Sequence, residues 1–263
     1  MRERGVVIAL LTTFVAAGAM AGPDWEESSY GDAGPLLSNA QVVTGFGPIS
    51  SIRGSLDAFA DSGDFQDMYR IEIDCPTAIT FKAGTDPSFG GSGDFNTQLW
   101  LFDANGLGLL GNNDVTPSLG LSGFGNQATD ATGVIVSAPG TYYIAVSGLG
   151  SVPVNAGGQA LFSFGSNPLE VSGPDGPGGS TPIAGWSANG AVGEYVIGLN
   201  PCSQFVPPPT CPADLDGNGV VDGADLGLLL NAWGPFATAA DLNGDGQVNG
   251  GDLGLLIAAW GPC

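Results

Sequence analysis

Between residues 41 and 199 the chain carries short runs of alternating apolar and polar positions, separated by clusters of Gly, Asn, Asp and Ser. Met68-Tyr69-Arg70-Ile71-Glu72-Ile73 alternates with a period of two, and Thr97-Gln98-Leu99-Trp100-Leu101-Phe102 does so less cleanly. Further runs lie at 134–137, 142–146, 160–164 and 194–197. A period of two sends successive side chains to opposite faces of a strand. Many short strands between turn signals, with no sustained period of 3.6, predict a β-sandwich or jelly-roll. After residue 210 the pattern changes. Leu226, Leu229, Leu230 and Trp233 fall at i, i+3, i+4 and i+7, and Leu253, Leu256, Ile257 and Trp260 repeat the spacing. That predicts two short helices whose apolar stripes face each other, with Gly234 and Gly261 where helix C-caps belong. The expected fold class is mainly β, a sandwich followed by a small α-helical module.

These changes of pattern divide the chain. Residues 1–21 read as an export signal: Arg2 and Arg4 precede a 12-residue apolar stretch at 6–17, too short for a membrane span, and Ala19-Met20-Ala21 has the form of a cleavage site. No membrane span is expected in the mature chain, and the expected location is secreted, cell-surface or periplasmic. Residues 22–40 read as a loosely ordered lead-in, and 41–203 as the β-rich body. Within the body, the Gly/Pro-rich stretch 172–181 reads as a flexible surface excursion. Residues 204–210, with Pro207-Pro208-Pro209, form a stiff linker. The tail, 211–263, contains two copies of one 21-residue unit, 214–234 and 241–261, offset by 27 residues and identical at 14 positions. A duplicated short unit implies two copies packed on each other, because one alone cannot bury its apolar face.

Composition narrows the chemistry. Net charge is −21, from five basic and 26 acidic residues. Binding nucleic acid requires cations to neutralise phosphates, so that class is excluded, and anionic lipid surfaces are disfavoured. The chain has no His, which removes Ser-His-Asp and Cys-His catalysis and His-ligated zinc. Carboxylate chemistry and oxygen-ligated cations remain. Four cysteines in an exported chain predict two disulfides, with three connectivities open. Cys75 and Cys202 each follow a predicted strand, and Cys211 and Cys263 bracket the duplicated unit. These positions favour Cys75–Cys202 and Cys211–Cys263.

Each tail unit opens with the spacing of a calcium loop. The first places Asp214, Asp216 and Asn218 at positions 1, 3 and 5, Val220 at 7, Asp222 at 9 and Asp225 at 12. The second places Asp241, Asn243, Asp245, Gln247, Asn249 and Asp252 at the same positions. A hard cation taking six to eight oxygens needs side-chain oxygens on alternate residues of a tight turn. Gly219 and Gly246 permit the turn at position 6, and Val220 and Gln247 offer backbone carbonyls. Each loop ends in Asp where an EF-hand has Glu, and no amphipathic helix precedes it. Two bound Ca²⁺ ions are expected.

This tail resembles a type I dockerin module in its duplicated loop ending in Asp, its missing leading helix and its paired exiting helices. The flanking Cys211 and terminal Gly261-Pro262-Cys263 resemble a dockerin-like anchor of exported planctomycete-type bacterial proteins. The resemblance implies a cohesin-type partner bound through the exposed helix faces. The places where the family carries Ser/Thr or Lys/Arg hold Gly223, Ala224, Gly250 and Gly251 here, so the expected partner is a cohesin-like or other surface receptor protein. The body resembles the bacterial pre-peptidase C-terminal domain in Gly63-Asp64-Phe65-Gln66-Asp67-Met68-Tyr69-Arg70-Ile71, in the run from Phe95 to Gly106, in Asn112-Asn113-Asp114, and in Pro139-Gly140-Thr141-Tyr142-Tyr143-Ile144-Ala145-Val146. That resemblance implies a non-catalytic β-sandwich that in some members binds calcium or matrix polymers.

Two acidic groups in the body, Asp61/Asp64/Asp67 and Asp94/Asp103/Asp114, read first as solvated turns, with a further calcium site or a glycosidase-like pair as alternatives. Gly106, Gly108 and Gly111 match a dinucleotide fingerprint by letter, but no helix follows them and the match is set aside. Trp100 and Trp186 are expected inside the sandwich rather than on a sugar-binding platform. The expected function is that of a secreted, non-catalytic calcium-binding protein, its sandwich anchored or assembled through the tail. The alternatives are a polysaccharide- or matrix-binding module and a carboxylate-dependent polysaccharide hydrolase.

Overall fold

The computed structural model describes residues 25–45, 47–59, 63–75, 79–118, 120–164, 167–206, 211–216, 218–235 and 238–263. The export signal, Asp61 and the linker prolines lie outside the described residues. The protein is mainly β, with two short helices near its C-terminal end.

Two sheets face each other across one core. The first runs in the order Trp25–Glu26, Ser51–Leu56, Gly193–Leu199, Lys82–Gly84, Gly123–Gly125, with Ser92–Gly93 also paired to Gly193–Leu199. The second runs Val171–Ser172, Gly108–Asn112, Thr97–Asp103, Gly140–Gly148, Gln66–Ile73, Ser203–Gln204. Tyr69, Ile71, Ile73, Leu99, Leu101, Ile144 and Val146 of the second sheet share a buried cluster with Ile52, Leu56, Phe124, Tyr195 and Ile197 of the first. The Cys75–Cys202 disulfide closes beside this core, with Cα atoms 4.4 Å apart. Cys202 leads into Ser203–Gln204, which pairs with Gln66–Ile73, and Cys75 follows that strand, so the bond joins the ends of two neighbouring strands of the second sheet.

The uneven alternation of 97–102 has a structural cause. Trp100 and Phe102 point to the outer face of their sheet, where they pack with Met68, Ala145, Leu161, Phe162 and Ile183 in a second buried cluster. A strand covered on both faces becomes apolar throughout. The cover is made by Leu161, Phe162 and Ile183, with Leu36, Leu37, Val152, Phe164 and Trp186 packed against them. The run 160–164 lies in this cover and 134–137 beside the main core; neither forms a strand, and each contributes an isolated bridge, at Ala160 and Ile135. The stretch 172–181, expected to be flexible, is packed. Gly178 and Gly179 are buried, and a Cβ on Gly179 would sit 1.9 Å from the Pro174 carbonyl oxygen. Its glycines serve close approach of backbone to backbone. The same holds for the set-aside fingerprint: Gly111 lies on a strand where a Cβ would strike the Trp100 ring at 2.7 Å. Trp100 is fully buried and donates its indole N–H to Ser147 Oγ, and partly buried Trp186 donates to the Pro35 carbonyl.

Residues 25–40 are also packed, in place of the loose lead-in expected. Trp25–Glu26 pairs in parallel with Ile52 and Arg53, and Trp25, Glu27 and Ala33 are buried. The polar composition of this stretch hides its attachment, because much of it is made through Glu27 rather than through an apolar run. The carboxylate of Glu27 accepts from the Ala33 and Ser55 backbone N–H groups at 2.9 and 3.0 Å.

Candidate metal centre

The tail builds two matching acidic loops. In the first, Asp214 accepts from the backbone N–H groups of Asn218 and Gly219 at 3.1 and 2.8 Å. Asp216 accepts from Asn218 N at 3.0 Å, and Asn218 Oδ1 from Val220 N at 2.8 Å. In the second, Asp241 accepts from Asp245 N and Gly246 N at 3.1 and 2.9 Å. Asn243 accepts from Asp245 N at 2.9 Å, and Asp245 from Gln247 N at 3.0 Å. Gly219 and Gly246 have φ of +87° and +89°, the left-handed turn that position 6 requires. Side-chain oxygens at positions 1, 3 and 5 thus line one side of each turn.

The position-12 carboxylates are the most constrained groups. Asp225 Oδ2 accepts from Asp222 N, and its Oδ1 accepts from Leu215 N and Asp216 N. Asp252 holds Asn249 N, Leu242 N and Asn243 N in the same way. The Asp222 N–H, followed by the other donors, keeps the Asp225 carboxyl below the usual carboxylate range, and Asn249 N–H leads the same effect at Asp252. Asp222 and Asn249, predicted at position 9, also cap the helices Gly223–Asn231 and Gly250–Ala258 through capping boxes. Oxygens of Asp214, Asp216 and Asp225 lie within 4.8 Å of one another, a spacing that a calcium ion with oxygens at about 2.4 Å can bridge. Val220 lies in the short strand Val220–Val221, paired with Gly261–Pro262.

The two copies pack with the symmetry their repeat implies. Val221 pairs with Gly261, and Val248 with Gly234, each the other's equivalent at the 27-residue offset. Ala213, Val221 and Leu229 are buried with Ala240, Val248 and Leu256, and Leu226 and Leu253 pack against them. Cys211 and Cys263 are bonded, with Cα atoms 5.8 Å apart. Residues 212–260 match the family model of the dockerin type I domain. No curated protein matches the chain.

Two expectations for the tail are corrected. Leu230 and Trp233, and their equivalents Ile257 and Trp260, are not in the seam between the helices; the two tryptophans are 48% and 51% exposed. Nine-residue helices crossing once have a narrow contact, and only Leu226 and Leu229 with their counterparts reach it. The helices end at Asn231 and Ala258, capped by Ala232 and Ala259. Gly234 and Gly261 instead turn the chain into the bridging strands, with φ of +149° and +125°.

In the body, Asp94, Asp103 and Asp114 form no such group among the described residues. Asp103 instead accepts from Asn105 N and Leu107 N in a hairpin turn. Asp64 and Asp67 do belong to a cluster, but with Glu27 and Asp32, which the sequence reading missed. Burial raises Asp64 to about 7, aided by the charges of Asp32 and Glu27. Burial, with Glu27 and Asp64, pushes Asp67 well above the carboxylate range. The signal that could have located Glu27 was Trp25, a large apolar residue two positions before it in an otherwise polar stretch. Nothing in its spacing relates it to Asp67, forty residues on.

Among the described residues, no helix is long and apolar enough to cross a membrane.

Proposed function

We propose that this is an exported, non-catalytic protein whose β-rich body, of the pre-peptidase C-terminal type, is the cargo of its tail. The tail, loaded with one calcium ion in each loop, attaches that cargo to a cohesin-like or other surface receptor, in the manner of a planctomycete-type anchor. The observation that carries the reading is the matched pair of loops with filled positions 1, 3, 5, 9 and 12, over a segment similar to the dockerin type I family. Calcium would be held by Asp214, Asp216, Asn218, Asp222, Asp225 and the Val220 carbonyl, and by Asp241, Asn243, Asp245, Asn249, Asp252 and the Gln247 carbonyl. Export is supported by the N-terminal pattern and by both disulfides, which persist in oxidising compartments.

A receptor surface is supported by what the helices leave outside. Leu228, Leu230 and Trp233, and Leu255, Ile257 and Trp260, are all exposed. Six large apolar side chains on a module this small are more than isolated surface residues, and such patches mark protein contacts. The test is binding of the full chain to a panel of cohesin modules and extracellular surface proteins, in calcium and in chelator. Calcium-dependent capture that Trp233→Ala and Trp260→Ala abolish is the expected result. Capture indifferent to chelator, or hydrolysis of a polysaccharide by the purified chain, would overturn the reading.

A further inference from the structure

The chain holds five Asn-Gly pairs, and three of them, Asn218-Gly219, Asn243-Gly244 and Asn249-Gly250, fall on positions 5, 3 and 9 of the tail loops. An Asn-Gly step is chemically fragile. Glycine has no Cβ to hinder approach and reaches backbone conformations closed to other residues, so its amide nitrogen can close on the asparagine side chain. That nitrogen gives its proton to water and attacks Cγ. An N–Cγ bond forms, the Cγ–Nδ2 bond breaks, and Nδ2 takes a proton from water and departs as ammonia. Water then opens the cyclic imide. Entry at Cγ leaves aspartate. Entry at the backbone carbonyl leaves isoaspartate, whose main chain is longer by one carbon.

In the folded loops each of these amides is held out of that path. Asn218 Oδ1 accepts from Val220 N at 2.8 Å, its Nδ2 donates to Asp216 at 3.0 Å, and the Gly219 N–H donates to Asp214 at 2.8 Å. Asp245 grips Asn243 at both ends: its N–H donates to Oδ1 at 2.9 Å, and its carboxylate accepts from Nδ2 at 3.0 Å. Asn249 Oδ1 accepts from Gly251 N at 2.7 Å as the cap of the helix Gly250–Ala258. All of these bonds lie within one loop. Among the described residues nothing packs on the glycines: a Cβ built on Gly219, Gly244 or Gly250 would meet no other part of the chain within 4 Å. The two pairs in the body, Asn105-Gly106 and Asn189-Gly190, differ. The Gly106 N–H donates to the Asp103 carbonyl at 3.0 Å, and a Cβ on Gly106 would lie 3.2 Å from Leu37. A Cβ on Gly190 would lie 2.4 Å from the Gly148 carbonyl oxygen. The sandwich keeps those two pairs closed, whereas the tail pairs have only the shape of their loops.

We propose, on the reading of the tail loops as calcium sites, that Asn218, Asn243 and Asn249 are self-modification sites gated by loop occupancy. In filled loops the amides persist; in emptied loops they convert to aspartate and isoaspartate. Reaction through an open state scales with the population of that state, and an ion bound to the closed form alone lowers that population. The change does not reverse. Isoaspartate at position 3 or 5 displaces every later ligand of its loop by one main-chain carbon, and at position 9 it spoils the cap from which the helix starts. A tail left empty for long enough therefore loses the capacity to refill, and with it the means of attachment.

The test ages the full chain in mildly alkaline buffer, in excess calcium and in chelator. Each Asn-Gly peptide is followed by mass and by chromatography that separates isoaspartate. Conversion at Asn218, Asn243 and Asn249 is expected to be at least about tenfold faster in chelator, with Asn105 and Asn189 unchanged. Equilibrium dialysis of the aged, reloaded chain is expected to show ions lost in proportion to isoaspartate. A chain carrying Asn218→Asp, Asn243→Asp and Asn249→Asp keeps the side-chain oxygens and has no ammonia to lose, so it is expected to reload in full after the same ageing. Tail conversion that ignores calcium in a chain shown by dialysis to bind it, or that Asn105 and Asn189 match, overturns the proposal and leaves the calcium reading standing. So does a triple variant that loses its ions as fast as the parent. A fresh chain that binds no ion overturns both.

Discussion

The body and the tail each gather carboxylates, and they do so in opposite ways. In the tail, every acidic group of a loop comes from twelve consecutive residues, and most are open to solvent and tied to backbone N–H groups. In the body, Glu27, Asp32, Asp64 and Asp67 come from two distant stretches and meet beside an apolar core. The tail's arrangement exists to the extent that its loops hold their turns. The body's arrangement is imposed by two sheets that fold for other reasons. Hence the tail is expected to depend on bound cations for its structure, whereas the body is expected to keep its shape without them. A module of 53 residues with a core of six buried side chains has little else to hold it.

The sharpest way to break this comparison is chelation. In excess chelator the helical circular dichroism from Gly223–Asn231 and Gly250–Ala258 is expected to vanish while the β signal of the body persists. Asp225→Ala and Asp252→Ala should each remove one tail ion. Helices that survive chelation would mean that the tail, like the body, is held by its own packing. Next in size is the body's cross-link. Replacing Cys75 and Cys202 by Ala removes a loop closure of 127 residues, worth about 4–5 kcal/mol in the chain-entropy account. The body's melting temperature should fall by on the order of 10 °C, with no change in the tail's calcium response.

A pH series sharpens the contrast. Asp64 faces Asp57, Asp32 and Glu27, with Asp67 beside it, and its pKa is raised to about 7. A carboxylate with a raised folded-state pKa contributes stability while protonated and loses it as pH rises through that value. In chelator the body should therefore melt on the order of 5 °C higher at pH 5 than at pH 8. The tail carries the opposite sign: Asp225 and Asp252 are lowered, so their contribution is present at neutral pH and is lost only in acid. The smallest effect on stability is expected for Trp233→Ala and Trp260→Ala, within about 1 kcal/mol, although both should abolish receptor binding.

What could be read along the chain follows from the same contrast. The calcium-type loops, the helices and the pseudo-symmetric repeat are local patterns, so spacing alone reveals them. The Cys75–Cys202 disulfide was reached from the positions of predicted strands, and Cys211–Cys263 from its bracketing of the duplicated unit. The carboxylate cluster around Asp67 was only half visible, because Glu27 and Asp32 join it through the parallel pairing of Trp25–Glu26 with Ser51–Leu56, which no local period encodes. The exposure of Trp233 was hidden for another reason. A stripe at helical spacing shows which residues share a face, while the helix crossing decides how much of that face is covered. The strand at 97–103 looks irregular in sequence because Leu161, Phe162 and Ile183, distant along the chain, lie over its outer side.

The two disulfides also bear on how the protein would wear in a compartment full of peptidases. Cys75–Cys202 and Cys211–Cys263 turn most of the chain into two covalent rings. A single cut at 76–201, or at 212–262, leaves the pieces joined. Of the residues beyond Cys75, only the short stretch 203–210 lies outside a ring, so one cut there would part the body from the tail. That stretch carries three consecutive prolines, Pro207, Pro208 and Pro209. Proline lacks the N–H and the free φ with which an extended peptide pairs into a protease cleft. The stretch where cleavage would separate the two halves thus has its middle filled by residues poorly suited to a protease cleft.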